Sequence, residues 1–360
     1  MQSENQASVE EHPANTRQQI LTPHEIALEK FWAACEIGDL IQFTNQLKES
    51  FGELSDANVK ILLKRMVKKG WLEGMRCLLD QGADPTLLTA SILVQECRSA
   101  AMLQLLADFG VDYKSGDSNI LSSVSGPPAS RREILDWLLD HGLDINGPTN
   151  DTVQGTDRSY RDNTVEVLNA AAAQGDIDLF DHLVSRGARP HHSNALHNAA
   201  RSKNAVAMIT HLIETYHLDV NASDACNGLN ELDLVGFKGT PKYALNYALT
   251  ACNTPAAEVL LKYGARIGQA LSYAISSQKT SAVKLILDAG ADPSDGLCNA
   301  IVSDYLEAAQ LCLEHGGDIA AGEARDKFVA GFGGSYTGMS NEMRKLLDEW
   351  KNKQQDSPKV

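Results

Sequence analysis

Aromatic residues are scarce in this 360-residue chain, at 6%. A thick aromatic-centred core is therefore not expected, and the 43% hydrophobic content must be carried by Leu, Ala, Ile and Val. Thin layers of small helices suit that composition. No C-x-x-C pair occurs, and the seven cysteines, Cys35, Cys77, Cys97, Cys226, Cys252, Cys298 and Cys312, are odd in number. Most lie inside apolar helical runs, where a free thiol acts as a small hydrophobe, so a reducing compartment is expected. No apolar run approaches the ~20 residues that span a bilayer. Residues 1–22 lack the apolar stretch of a secretory signal. Positive charge is also short. The formal net charge of −15 makes a poor non-specific binder of nucleic acid or anionic lipid. These absences point to a cytoplasmic or nuclear protein, away from membrane and nucleic acid.

Catalytic signatures are missing too. There is no G-x-S-x-G, H-E-x-x-H or dinucleotide fingerprint, so no catalytic residue is assigned and no cofactor is expected. His191, His192 and His197 lie close in sequence, but no Cys or carboxylate completes a zinc-like spacing, and no metal site is assigned. The run Gly331 to Gly338 lacks the Lys-Ser/Thr dipeptide of a phosphate loop and reads as a linker.

What the chain does have is repetition. A phrase of leucine-like residues, polar residues, Gly and then Ala-Asp recurs, as in Leu78-Leu79-Asp80-Gln81-Gly82-Ala83-Asp84 and Leu285 to Pro293. An apolar anchor followed by alanines precedes it, as in Leu168-Asn169-Ala170-Ala171-Ala172. The interval from anchor to Gly is 19 residues for Leu63 to Gly82, Leu168 to Gly187, Leu245 to Gly264, Leu271 to Gly290 and Leu297 to Gly316. Equal intervals predict one unit used many times: a short inner helix, a turn at glycines such as Gly38, Gly70 and Gly175, then an outer helix closed by a left-handed glycine. Each helix pair leaves an apolar face that only a neighbouring pair can bury.

These phrases resemble the ankyrin repeat. Leu196-His197-x-Ala199-Ala200 is similar to its inner-helix signature, and Gly82-Ala83-Asp84 and Gly290-Ala291-Asp292 to its end signature. The helix-opening Thr-Pro-Leu-His phrase is not intact; Thr240-Pro241 lies four residues too early for Leu245. The resemblance implies an all-α solenoid of about nine repeats with a C-terminal capping helix. It also implies that the ring of His197 hydrogen-bonds a neighbouring turn. The solenoid is expected over residues 22–351, between disordered tails at 1–21 and 352–360. Thr22 to Glu25 and Ser130 to Glu133 read as capping boxes, with Pro127-Pro128 forbidding helix before the second. Ser340 is expected to cap a last helix, Asn341 to Trp350.

The connections after the closing glycines vary. Gly264, Gly290 and Gly316 follow one another at 26 residues, whereas Gly142 and Gly187 stand 45 apart. In ankyrin-type structures that connection forms a finger. Two are long, Asp144 to Val167 and Asp219 to Ala244. Arrays place insertions on one face, often the binding face. Candidate partner-binding residues are Asp157, Arg158, Tyr160 and Arg161 in the first, and Phe237 and Lys238 in the second. Mobile loops that bind nothing are the alternative. Lys60, Lys64, Arg65, Lys68 and Lys69 form a basic run; Lys68 and Lys69, together with Arg201, are added as contact candidates, a solvated helix face being the alternative. Asp144-Ile145-Asn146 and Asp219-Val220-Asn221 resemble ankyrin asparagines that oxygen-dependent hydroxylases accept; otherwise each Asn bonds its own turn. The function expected is a monomeric scaffold binding another protein through a concave face and fingers. The competing reading is an enzyme, or enzyme subunit, with its site in the groove near the long fingers. The Ser-rich stretch before Pro127 predicts that the array is weakest over residues 120–165.

Overall fold

Every repeated phrase becomes a pair of helices. A computed structural model describes residues 23–114, 120–146, 165–224, 242–331, 336 and 338–356. The chain divides into two units, Met1–Asp112 and Tyr113–Val360. The first contains α1 (Pro23–Ile37), α2 (Leu40–Ser50), α3 (Asp56–Lys69), α4 (Leu72–Asp80), α5 (Ala90–Glu96) and α6 (Ala100–Asp108). The second begins with α7 (Ile120–Ser123), α8 (Pro128–Asp140), α9 (Glu166–Gln174), α10 (Ile177–Ser185), α11 (Ala195–Ala199) and α12 (Ala205–Tyr216). It continues through α13 (Ala244–Thr250), α14 (Thr254–Lys262), α15 (Ala270–Ser276), α16 (Thr280–Asp288), α17 (Pro293–Val302) and α18 (Leu306–Glu314). It ends in α19 (Ile319–Ala330) and α20 (Asn341–Asp356). Among the described residues the only bridge between extended segments joins Ser223 and Tyr243. The architecture within each unit is therefore all-helical and of the ankyrin type.

The repeat of α9 and α10 shows the physical basis. Leu168, Ala171 and Ala172 are buried, and small side chains there let α11 pack closely. The inner helix stops at Gly175, whose φ of +69° turns the chain, and Asp176 caps the next helix by accepting the Leu179 N–H at 3.1 Å. The outer helix buries Leu179, Phe180 and Leu183. It closes at Gly187, with φ +99°. The anchors Leu63, Leu168, Leu245 and Leu297 are fully buried, as the common interval requires.

The residue seven places after the anchor is left-handed in six repeats. Glycine fills it at Gly38, Gly70 and Gly175; Cys252, Gln278 and Asp304 fill it at φ 56°, 52° and 49°. A side chain in that region costs free energy that glycine does not. Gln278 is exposed. Gln278→Gly is therefore expected to stabilise the second unit by about 0.5–1 kcal/mol, read as a raised denaturation midpoint. An unchanged or lowered midpoint would show that this turn carries no strain.

The end signature also has a cause. Asp84, Asp144, Asp219, Asp292 and Asp318 each accept the backbone N–H two residues on, at 2.8–2.9 Å. This closes a turn directly behind the helix end. Asn146 and Asn221 do more than bond their own turns. The Asn146 amide donates to Gly187 O (2.8 Å) and accepts from the Arg189 N–H (3.0 Å). Asn221 repeats this with Gly264 O (3.1 Å) and the Arg266 N–H (2.8 Å). Each asparagine thus ties the start of a long connection to the closing turn of the following repeat.

Outer helices are joined by polar pairs. Asp136 of α8 meets His182 (2.8 Å) and Arg186 (2.6 Å) of α10; Asp181 of α10 meets His211 (2.7 Å) and the Tyr216 hydroxyl (2.7 Å) of α12. Asp288 of α16 meets His315 of α18 at 3.1 Å.

Two capping expectations change. Ser130 lies inside α8, which starts at Pro128, with Pro127 as its cap. Proline is tolerated in the first helical turn because its missing N–H would have no intrahelical partner there. Ser340 does cap α20, accepting the Met343 N–H at 3.1 Å, but that helix runs beyond Trp350 to Asp356. The inner helix α7 is described over Ile120–Ser123, and 115–119 lie outside the described residues. Thr22 and the long-connection interiors, 147–164 and 225–241, lie outside the described residues.

Candidate functional site

Where the first long connection rejoins the fold, the Val165 N–H donates to His192 O at 3.1 Å. That bond sets α9 beside the turn leading into α11. The anchors Leu168 and Leu196 then stand in register. Glu166 corresponds to Asn194, two residues before the anchor, and Asn169 corresponds to His197, one residue after it. Glu166 and Asn169 are spaced i, i+3 on α9, and Asn194 stands at the N-cap of α11, three residues before His197. The next repeat places Asn246 after its anchor Leu245. Three consecutive repeats therefore bury a polar residue at one position, with Asn169 6% exposed, His197 3% and Asn246 5%.

The chemistry of this row is specific. His197 Nε2 lies 3.1 Å from Ala222 O, a carbonyl that can only accept, so Nε2 holds the proton. Burial holds the imidazole below its usual pKa, against the opposing effect of Asp224, and so keeps it neutral at pH 7. Its Nδ1 is then an acceptor, and it is buried without a partner. Asn169 Oδ1 and Asn194 Oδ1 are likewise buried and unpartnered, and Asn194 is 8% exposed. Burial raises the pKa of Glu166, while a hydrogen bond from Asn169 pulls it back down. An unsatisfied buried polar atom costs about 1–3 kcal/mol, so several together need an explanation.

The second long connection is closed at its base by Asp224. Its N–H donates to Lys242 O (2.9 Å), and its carboxylate accepts from the Lys242 N–H (3.1 Å) and the Tyr247 hydroxyl. The Tyr247 ring meets His197 edge-on at 5.4 Å. This makes the Asp224 carboxylate a fastener for the connection's two ends.

A cleft of about 680 Å³ opens elsewhere in the second unit, beside the start of α8 and the turn between α9 and α10. Arg131 within it is paired with Asp176 at 2.7 Å, and Arg132 donates to Asp178 O at 3.1 Å. The first unit has a more apolar groove of about 550 Å³ across α2, α4 and α6, including Leu40, Cys77 and Leu105.

The sequence-predicted contact residues fare unequally. Asp157, Arg158, Tyr160, Arg161, Phe237 and Lys238 lie outside the described residues. Lys68 is exposed at the end of α3. Lys69 is engaged with α1: its ammonium donates to Cys35 O and to Glu36 O (2.6 Å), satisfying carbonyls at that helix's negative end. Arg65 and Lys64 of the same run pair with Glu36 (3.3 Å) and Glu96 (3.2 Å). Arg201 is exposed just after α11. His197 bonds the neighbouring turn, as the family resemblance implied. Sequence reasoning missed Glu166, Asn169 and Asn194. The signal that could have found them was the alignment of anchors Leu168, Leu196 and Leu245.

No protein-family model and no curated protein matches the chain. It is similar to the solved human ASB11 ankyrin repeat domain at 17% identity. That match covers 71% of this chain and 98% of the other, with a TM-score of 0.39. It is similar also to the ankyrin repeat domain of Bcl-3, described as a unique member of the IkappaB protein family. There the identity is 17%, the coverage 66% and 99%, and the TM-score 0.40. Among the described residues no helix is long and apolar enough to cross a membrane.

Proposed function

We propose that this chain is a protein-binding scaffold whose contact surface is the inner-helix face of α9, α11 and α13, flanked by the connections 147–164 and 225–241. The observation that supports the reading is the pair of asparagine staples, Asn146 and Asn221, that fix the starts of the two long connections on the following repeats. The connections begin on stapled turns at Asn146 and Asn221, so their roots are held while their interiors are free to differ in sequence. Asp157, Arg158, Tyr160, Arg161, Phe237 and Lys238 then supply aromatic and charged anchors of the kind that dominate interfaces.

The test replaces both connections by turns as short as the one after Gly290 and compares partner recovery with wild type. The double deletion is expected to lose most of the recovered partner while keeping its helical circular dichroism. Full recovery by a folded deletion would refute the placement of the surface.

A further inference from the structure

The first unit carries a surface of a different kind. Ile37 and Ile41 are 78% and 77% exposed, and Leu40 between them is 37% exposed. Apolar residues scattered singly on a surface need no explanation, but three so close at one turn form a patch. Leu40 also lines the groove of about 550 Å³ across α2, α4 and α6, so patch and groove meet at that residue. Glu73 and Arg76 line the same groove, three residues apart on α4, and both are exposed. That spacing puts them on one helix face, about 4.5 Å apart along its axis. Neither forms an ion pair among the described residues. The groove's other charge, Asp108, accepts from Gln104 at 2.8 Å. An apolar patch beside one unpaired acid and one unpaired base of a single helix face complements itself. A strongly basic or acidic partner would call for a rim of one sign.

We infer that this face joins the first units of two copies of the chain about a two-fold axis. The inference is independent of the partner-binding reading, which concerns the second unit. In a two-fold contact, residue i of one copy meets residue j of the other, and j meets i. An axis crossing α2, α4 and α6 midway between Glu73 and Arg76 lays each outer helix antiparallel on its own copy. Glu73 then faces Arg76 of the second copy, and Arg76 faces Glu73 of the second copy. Ile41 and Glu73 are each the second residue of their helices, so Ile41 lies near the level of the axis and meets its own copy. Burial of Leu40 and Ile41 drives the contact, and the crossed ion pairs set its register. Nine residues line the groove, well short of the about 20–30 a side of a standard interface. The net charge of −15 also sets the two copies against each other. The dimer is therefore weak, with a dissociation constant on the order of micromolar, in place of the monomer expected from the sequence.

Sedimentation equilibrium of the full chain, from about 1 to 200 µM in about 0.15 M salt, is the test. Wild type should pass from monomer to dimer across that range. Ile41→Asp would bury a carboxylate on both sides of the axis and should weaken the dimer by about a hundredfold. Glu73→Arg sets like charges together at both symmetric positions, as Arg76→Glu does, and each should weaken it by about tenfold or more. The decisive sample is an equimolar mixture of these two variants. Each supplies the sign that the other lacks, so the mixture should dimerise as tightly as wild type although neither does so alone. All three substitutions fall on exposed positions, and circular dichroism checks that the variants are folded. A wild type that stays monomeric throughout overturns the inference, the patch then being covered by another part of the chain or kept for a different protein. So does a dimer that Ile41→Asp leaves intact, or one whose charge reversals mixing does not rescue. Each of those results leaves the protein-binding reading of the second unit standing.

Discussion

Gly175→Ala is expected to destabilise the second unit by about 2–5 kcal/mol. Two costs combine. The position has φ +69°, where an L side chain is strained by about 1–2 kcal/mol. The added Cβ would also stand 2.6 Å from both Asn204 Cβ and Ser202 Oγ, closer than real Cβ atoms approach. Relief is difficult. Ser202 is buried and accepts the Asn204 N–H at 3.1 Å, and the Asn204 amide donates to Gly175 O at 3.0 Å. Moving Asn204 breaks its bond to Gly175 O across the repeats, and moving Ser202 breaks its bond to the Asn204 N–H within the turn. Gly187→Ala separates the two costs, because Gly187 has φ +99° but no heavy atom within 4 Å of an added Cβ. It should lose only the backbone part, about 1–2 kcal/mol. Denaturant unfolding of both variants decides the matter. Equal losses would mean that the approach of Asn204 to Gly175 carries no packing energy.

That comparison also marks what could be read in the sequence. The closing glycines announce themselves, and counting 19 residues back from Gly82, Gly187, Gly264, Gly290 and Gly316 finds a buried leucine each time. The turn between inner and outer helix is legible where glycine fills it and silent where Cys252, Gln278 and Asp304 do. Local propensity does not reveal a left-handed cysteine or glutamine; only its distance from the anchor does. Lys69 illustrates a second limit. Within its own helix it looks like one more solvated lysine, yet its acceptors are carbonyls of α1, more than 30 residues earlier. The asparagine staples are a third case. Asp144-x-Asn146 and Asp219-x-Asn221 are both visible, but the partners Gly187 and Gly264 lie beyond connections whose course no local pattern dictates. The buried polar row is partly in view. His197 was recognisable from its family phrase, while Asn169 looked like filler between an anchor and alanines. Its meaning appears only when three repeats are superposed on their anchors. Buried polarity recurring at one position of a stack is a signal about neighbours, and reading one helix at a time averages it away.

Ala171→Leu is expected to cost about 1–3 kcal/mol, through overpacking between α9 and α11. Ala171 is 1% exposed in α9, which packs against α11 and its fully buried Ala199. A leucine there finds no room without displacing the neighbouring helix. Gln174→Leu, three residues on and exposed, should change stability by less than about 0.5 kcal/mol. The distribution of the damage is more telling than its size. In a stack, each helix pair touches only its neighbours, so a local strain should raise hydrogen exchange locally. Amides of α9, α10 and α11 are expected to exchange faster in the variant, while those of α15 and α17 keep their wild-type protection. The same measurement on the wild type tests the expected unevenness of the array. The stretch at α7 holds Ser122, Ser123 and Ser125 before Gly126 and Pro127, poor helix formers, and should protect itself less than the Ala-rich α9. Amides around 120–123 should therefore exchange faster than those around 168–174 by orders of magnitude. If α7 is as protected as α9, or if Ala171→Leu loosens α17 as much as α11, stability in this unit is pooled across the stack, and the nearest-neighbour account of its energetics fails.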